Sequence, residues 1–173
     1  MSKLLNQFAN DAQLGWDSFK NKHKYHVLVL LPRESSDVGS ISTTGFATRP
    51  PEIRPPISDN YRVGILKRRF SPKVDGQGIS VGRDKDNDIV VRDIEVSKVH
   101  AFFESGNQGA WTIRDNGSTN GTYLNGALIQ PGQKTKIKSS DAIKIGPGLS
   151  SVFFEPGDFY QFLVSPAVRD GVY

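Results

Sequence analysis

The sequence predicts an all-β fold, an antiparallel β-sandwich of about eleven strands with an N-terminal helix and a short C-terminal helix. Three observations predict it. Seventeen glycines and ten prolines in 173 residues supply turns at a density that suits sheets better than a helical bundle. From position 61 onward about ten short β-prone runs follow one another, each bounded by turn residues. Several of them alternate apolar with polar residues, as Ile79 and Val81 do, which is the period of a strand with one buried face.

The elements follow in order. Leu5, Phe8, Ala12, Trp16 and Phe19 recur at spacings of three and four, which reads as one amphipathic helix over 3–22 packed on the main domain. Residues 26–31 read as a short buried strand that Pro32 ends. Residues 33–57 turn to Ser, Thr, Gly and Pro, with Arg49-Pro50-Pro51 and Arg54-Pro55-Pro56, and read as a linker of extended character. Strands are expected over 61–67, 78–82, 88–91, 99–104, 110–115, 122–125, 127–129, 134–138, 142–145 and 150–154. After Pro156-Gly157, Asp158 is placed to cap a helix over 159–164. The chain thus divides into 1–32 (helix and strand), 33–57 (linker), 58–156 (β-domain) and 157–173 (tail with a short helix).

Composition narrows the function. With no cysteine, disulfides, thiolate metal sites and cysteine nucleophiles are excluded. The longest apolar run, Val27 to Leu31, is too short to span a bilayer, and no secretory signal is visible, so the expected setting is cytoplasmic. The formal charge of +4 favours anionic partners without choosing among them. No Walker-type loop, HExxH motif, nucleophile elbow or histidine cluster occurs, so an enzyme is not expected. Asp84, Asp86 and Asp88 alternate like calcium ligands, but the glycine and distal glutamate of a calcium loop are missing. No metal or cofactor is expected.

Polar residues concentrate in three inter-strand loops: 82–88, 93–100 and 115–122. They carry Gly82-Arg83, Asn87-Asp88-Ile89, Ser97-Lys98-Val99-His100, Gly117-Ser118-Thr119-Asn120-Gly121-Thr122 and Asn125-Gly126. In order and spacing this set resembles the forkhead-associated (FHA) domain over roughly residues 60–155. The resemblance implies a module that binds phosphothreonine peptides as an adaptor in Ser/Thr kinase signalling. It places Arg83 at the family's phosphate-binding arginine. A phosphothreonine carries nearly two negative charges and three acceptor oxygens. An arginine fork, the hydroxyls of Ser97 and Thr119 and the ammonium of Lys98 suit that group, and the Asn120 amide suits the adjoining peptide backbone. Gly82, His100, Gly121 and Asn125 are expected to support the site structurally. Asn125-Gly126 doubles as a hairpin-turn signal.

The implied partner is a phosphothreonine-containing protein, a kinase or a kinase substrate. Thr43, Thr44 or Thr48 of the linker, if phosphorylated, would be an intramolecular ligand at high effective concentration. No membrane is expected as a partner. Nucleic acid or another polyanion is the alternative, through Lys67, Arg68, Arg69 and Lys73, although a solvated edge strand explains that cluster equally well. One question stays open at this level. A plain meander would put the 83–87 and 92–98 loops at opposite ends of the sandwich, and their meeting is implied by the resemblance alone.

Overall fold

An uninterrupted apolar run such as Val27–Leu30 demands burial on both of its faces, and the architecture supplies two cores to meet that demand. The computed structural model describes residues 3–31, 61–69, 78–106 and 109–165. The linker with Thr43, Thr44 and Thr48, the cluster residue Lys73 and the tail beyond 165 lie outside the described residues. The elements run β1 (Lys3–Leu4), α1 (Leu5–Ala12), α2 (Trp16–Lys22), β2 (Val27–Leu30), β3 (Arg62–Ile65), β4 (Ile79–Gly82) and β5 (Ile89–Val90). They continue with β6 (Ala101–Ser105), β7 (Trp111–Asp115), β8 (Thr122–Leu124), β9 (Ala127–Leu128), β10 (Thr135–Ile137), β11 (Ala142–Ile145), β12 (Leu149–Phe154) and α3 (Pro156–Val164).

The strands form two sheets, in the orders β1-β3-β2-β12-β11-β8-β9 and β10-β7-β6-β4-β5. Between the sheets lies one core, which takes Leu28, Ile143, Ile145 and Phe153 from the larger sheet and Val81, Phe103 and Ile113 from the smaller. The intervening residues of β2 and β12 (Val27, Val29, Val152 and Phe154) point the other way, into a second core under the helices. There Phe8, Phe19 and Phe159 bring their rings together, with Phe8 5.5 Å and Phe19 6.1 Å from Phe159 between centroids.

The N-terminal apolar stripe forms two helices rather than the single one expected. Gly15 adopts φ of +90°, outside the helical region, and separates α1 from α2. At the other end, α3 begins at Pro156, whose fixed φ suits the first helical position. Asp158 therefore sits in the first turn, where its charge complements the helix dipole, instead of at the cap.

The parallel pairing of β4 with β5, Val81 opposite Ile89 and Gly82 opposite Val90, answers the question of the loops. Residues 83–88 double back, so β5 starts again beside the body of β4 and runs the same way. Both strands then deliver their C-terminal ends to one end of the sandwich. β6 pairs antiparallel with β4, and β7 with β6, so the start of β6 and the end of β7 arrive there as well. The three polar loops share one end of the fold.

Candidate functional site

Each loop is fastened by backbone groups and by a few polar side chains buried beneath it. Just past β4, the Arg83 N–H donates to the Ser97 carbonyl at 2.9 Å and the Asp84 N–H to the Lys98 carbonyl at 3.0 Å. The two segments run so close that a β-carbon at position 82 would overlap the Lys98 carbonyl, so only glycine fits there. Asn87, fully buried, donates its Nδ2 hydrogens to the carbonyls of Asp84 (2.8 Å) and Lys98 (2.6 Å). Asp88 accepts from the backbone and hydroxyl of Ser80, at 2.8 and 3.0 Å, and from the Arg69 N–H.

The second and third loops are joined by one imidazole. His100 is fully buried; its Nδ1 accepts the Ser97 N–H and its Nε2–H donates to the Gly121 carbonyl, each at 3.1 Å. Only the neutral Nε2–H tautomer makes both bonds. Burial holds the His100 pKa below the ordinary value, against the smaller opposing pulls of the Gly121 carbonyl and the Asp115 carboxylate. Burial on its own would raise the Asp115 pKa. The Ser118 hydroxyl and backbone N–H and the Thr122 hydroxyl all donate to this carboxylate, and together they keep it low.

On this base the candidate residues meet. Arg83 is exposed; its Nε donates to the Val96 carbonyl at 3.2 Å, and its terminal amines carry no hydrogen bond among the described residues. The Ser97 hydroxyl accepts the Thr119 N–H at 3.1 Å and lies 3.5 Å from the Thr119 hydroxyl. Asn120 donates Nδ2 to the Glu95 carbonyl at 2.8 Å. Lys98 is exposed, and its backbone carbonyl, not its side chain, is what knits the loops. Gly121 has φ of +74° and its carbonyl also takes the Gly146 N–H at 3.0 Å. Asn125 stands apart from this cluster, at the far end of β8. Its φ is +49°, its Nδ2 donates to Asp141 and its Oδ1 accepts the Ala142 N–H, both at 2.9 Å.

Several residues that shape the site carry no signal of their own in the sequence. Asn87 and Asp88 belong to the quoted motif, but nothing there indicates that one ties two carbonyls and the other caps Ser80. Asp115 adjoins the Gly-Ser-Thr-Asn-Gly-Thr block and its side-chain hydrogen bonds span only seven residues, so an Asx-type turn was the available clue. Gly146 was out of reach of local reasoning. A side chain there would press on the Glu95 carbonyl, fifty-one positions away in the chain.

Residues 79–146 match the family model of the FHA domain. The chain is 39% identical over 72 residues to an FHA domain-containing protein of Arabidopsis thaliana, a match covering 41% of this chain and 18% of that protein. It is 28% identical over 123 residues to the oxoglutarate dehydrogenase inhibitor of Corynebacterium diphtheriae, covering 68% of this chain and 77% of the inhibitor. Among solved structures, an FHA domain of Chlamydia trachomatis aligns with a TM-score of 0.49 at 20% identity, over 76% of this chain and 97% of that one. Other relatives are much longer, and the chain spans 21% of a probable serine/threonine-protein kinase of Dictyostelium discoideum. The five loop motifs and the shared loop end agree with the family match, in which residues 79–146 are similar to the forkhead-associated domain.

Proposed function

We propose that the loop end grips a phosphorylated threonine of a partner protein, with Arg83, Ser97, Lys98 and Thr119 on the phosphate and Asn120 on the adjoining peptide backbone. The observation that carries this reading is the convergence of Arg83, Ser97 and Thr119, from three loops, on one exposed end of the sandwich. The loops are already bonded to one another, so little ordering cost remains when a ligand arrives. Each charge-assisted hydrogen bond contributes roughly 1.5–3 kcal/mol. Three or four of them approach the roughly −8 kcal/mol of micromolar binding, so the phosphate dominates affinity.

The same geometry argues against an enzyme. Ser97, His100 and Asp115 lie near one another, yet the His100 Nδ1 faces the Ser97 backbone N–H rather than its hydroxyl. The other ring nitrogen is 3.9 Å from Asp115 and bonded to a carbonyl. No base is aligned to activate the serine. The polyanion alternative loses ground as well. The Arg69 guanidinium donates to the Asn87 carbonyl at 3.4 Å, and Lys67 sits over the Tyr25 ring at 5.2 Å, so part of the basic cluster serves the fold. No described helix is long and apolar enough to cross a membrane. The role that fits is a cytoplasmic adaptor for a kinase or its substrate, with phosphorylated Thr43, Thr44 or Thr48 as a candidate intramolecular ligand. An oriented phosphothreonine library, screened by fluorescence polarisation against the whole chain, tests the reading. Equal binding of a selected peptide with and without its phosphate would sink it.

A further inference from the structure

Three Asn-Gly pairs occur in the described residues, at 116–117, 120–121 and 125–126, and the fold holds them unequally. Asparagine before glycine is chemically labile, because the glycine nitrogen carries no bulky neighbour and can reach the asparagine side chain. How tightly the asparagine amide and its backbone are held then decides which pair reacts.

At Asn125 both side-chain atoms are engaged at 2.9 Å, and the backbone N–H is fixed to the Ala142 carbonyl at 2.8 Å. At Asn120 the Nδ2 is held by Glu95 at 2.8 Å, and the following carbonyl is pinned by His100 and Gly146. At Asn116 the backbone N–H donates to the His100 carbonyl at 2.9 Å, but among the described residues the one side-chain bond is a long one, 3.4 Å, to the Val99 carbonyl. Gly117 is exposed with open space about it and φ of +69°.

We propose that Asn116–Gly117 is a site of spontaneous deamidation whose product weakens the neighbouring phosphate site. The Gly117 backbone nitrogen attacks the Asn116 Cγ, giving up its proton as the C–N bond forms. The bond to the side-chain nitrogen breaks, and ammonia departs with the proton. Water then opens the cyclic imide to aspartate or isoaspartate, with no oxidant or reductant consumed. Either product puts a carboxylate beside Val99, next to Lys98, at the root of the loop that carries Thr119 and Asn120. A phosphate then approaches an added negative charge. The functional half of this inference rests on the phosphothreonine reading; the chemical half does not.

The test is to age the whole chain at mildly alkaline pH, folded and in urea, and map the three pairs by mass spectrometry with isoaspartate detection. In urea the three should convert at similar rates. Folded, Asn116 should convert first and Asn120 later. Two hydrogen bonds must break at Asn125, which should make it about tenfold or more slower than Asn116. Affinity for a fluorescent phosphothreonine peptide should fall as the Asn116 product accumulates. Asn116→Asp should weaken binding about threefold to tenfold, in keeping with one screened like-charge interaction. Asn116→Gln should keep its affinity through the same ageing. Equal conversion of Asn125 and Asn116 in the folded chain would overturn the site assignment. Full affinity in Asn116→Asp would overturn its consequence. Failure of the fresh chain to bind any phosphothreonine peptide would instead overturn the reading of the loop end, with the conversion order still measurable.

Discussion

The loop end and the helical cap are held together by opposite means. The cap is a cluster of buried apolar side chains (Leu5, Phe8, Phe19, Phe159 and Leu163) laid on the outer face of the larger sheet. Its packing is non-directional, and it tolerates shifts that conserve volume. The loop end is held by directional bonds from a few buried polar groups, Asn87, His100 and Asp115, each reaching a specific carbonyl or N–H. The difference separates the region that supplies stability from the one that holds the candidate binding residues. The cap supplies apolar burial and holds none of the candidate ligand-binding residues. The loop end contributes less apolar burial and fixes donors to within bond length.

The sharpest separation comes from the cap. Phe159 is 1% exposed and packs against four other phenylalanine rings. Phe159→Ala should cost about 3–5 kcal/mol of stability, read by denaturant unfolding. Phosphopeptide affinity, measured at a temperature where the variant is still folded, should be unchanged. A parallel loss of affinity would break the comparison, because it would mean that the cap positions the loops.

Arg83→Ala should do the reverse. Losing a charge-assisted fork weakens phosphothreonine binding by about 1.5–3 kcal/mol or more, by titration. The side chain is exposed and, among the described residues, its one bond is to a loop carbonyl, so stability should move by less than about 0.5 kcal/mol. Unchanged affinity with a normal unfolding curve would refute the assignment of the site.

How much of each region could be read in advance follows from the same contrast. The candidate loop residues were legible because the proposed recognition of one chemical group needs particular side chains at fixed offsets, as in Gly82-Arg83 and Ser97-Lys98-Val99-His100. The cap showed only a period, and a period does not report that Gly15 breaks it. The alternation within β2 and over Val152, Phe153 and Phe154 of β12 was hidden as well, because with a core on either side both sets of these residues are apolar. The parallel run of β5 beside β4 was invisible, since two residues are too few for any pattern. Gly146 against Glu95 was invisible for the opposite reason, since the contact depends on the closed fold.

Acid tests the polar side of the comparison. Above about pH 6.5 His100 is neutral whether the chain is folded or unfolded. Below that value the unfolded chain takes up a proton that burial denies the folded one. Stability should therefore decline as pH falls from about 6.5 towards the lowered folded value. His26, also lowered by burial, contributes in the same direction. Asp115 is held below the carboxylate range, so its contribution persists to lower pH and is lost only as pH falls through its folded value. A proton on the His100 Nδ1 would also face the Ser97 N–H and loosen the second loop, while the Nε2–H bond to Gly121 of the third loop remains. Unfolding measured across pH in the parent and in His100→Asn should show the loss near 6.5 reduced in the variant. Identical pH profiles would remove His100 from the account.

The smallest expected effect lies at the end of the sandwich away from the site. Ser140 has φ of +72°, where a β-carbon is strained by about 1–2 kcal/mol, and no side-chain bond offsets that strain among the described residues. Its backbone N–H donates to the Phe153 carbonyl at 2.7 Å, which fixes the conformation whatever the side chain. Asn125 is also left-handed, but both of its side-chain atoms are bonded. Ser140→Gly should therefore raise stability by about 0.5–1 kcal/mol, after allowing for the greater freedom of glycine in the unfolded chain. Asn125→Gly should lower stability despite the same backbone geometry. Neither should alter phosphopeptide affinity, because no bond of the loop cluster reaches that end. A rise in stability for both variants would show that the Asn125–Asp141 bonds contribute nothing. A change in affinity for either would show that the two ends of the sandwich are coupled through the strands between them.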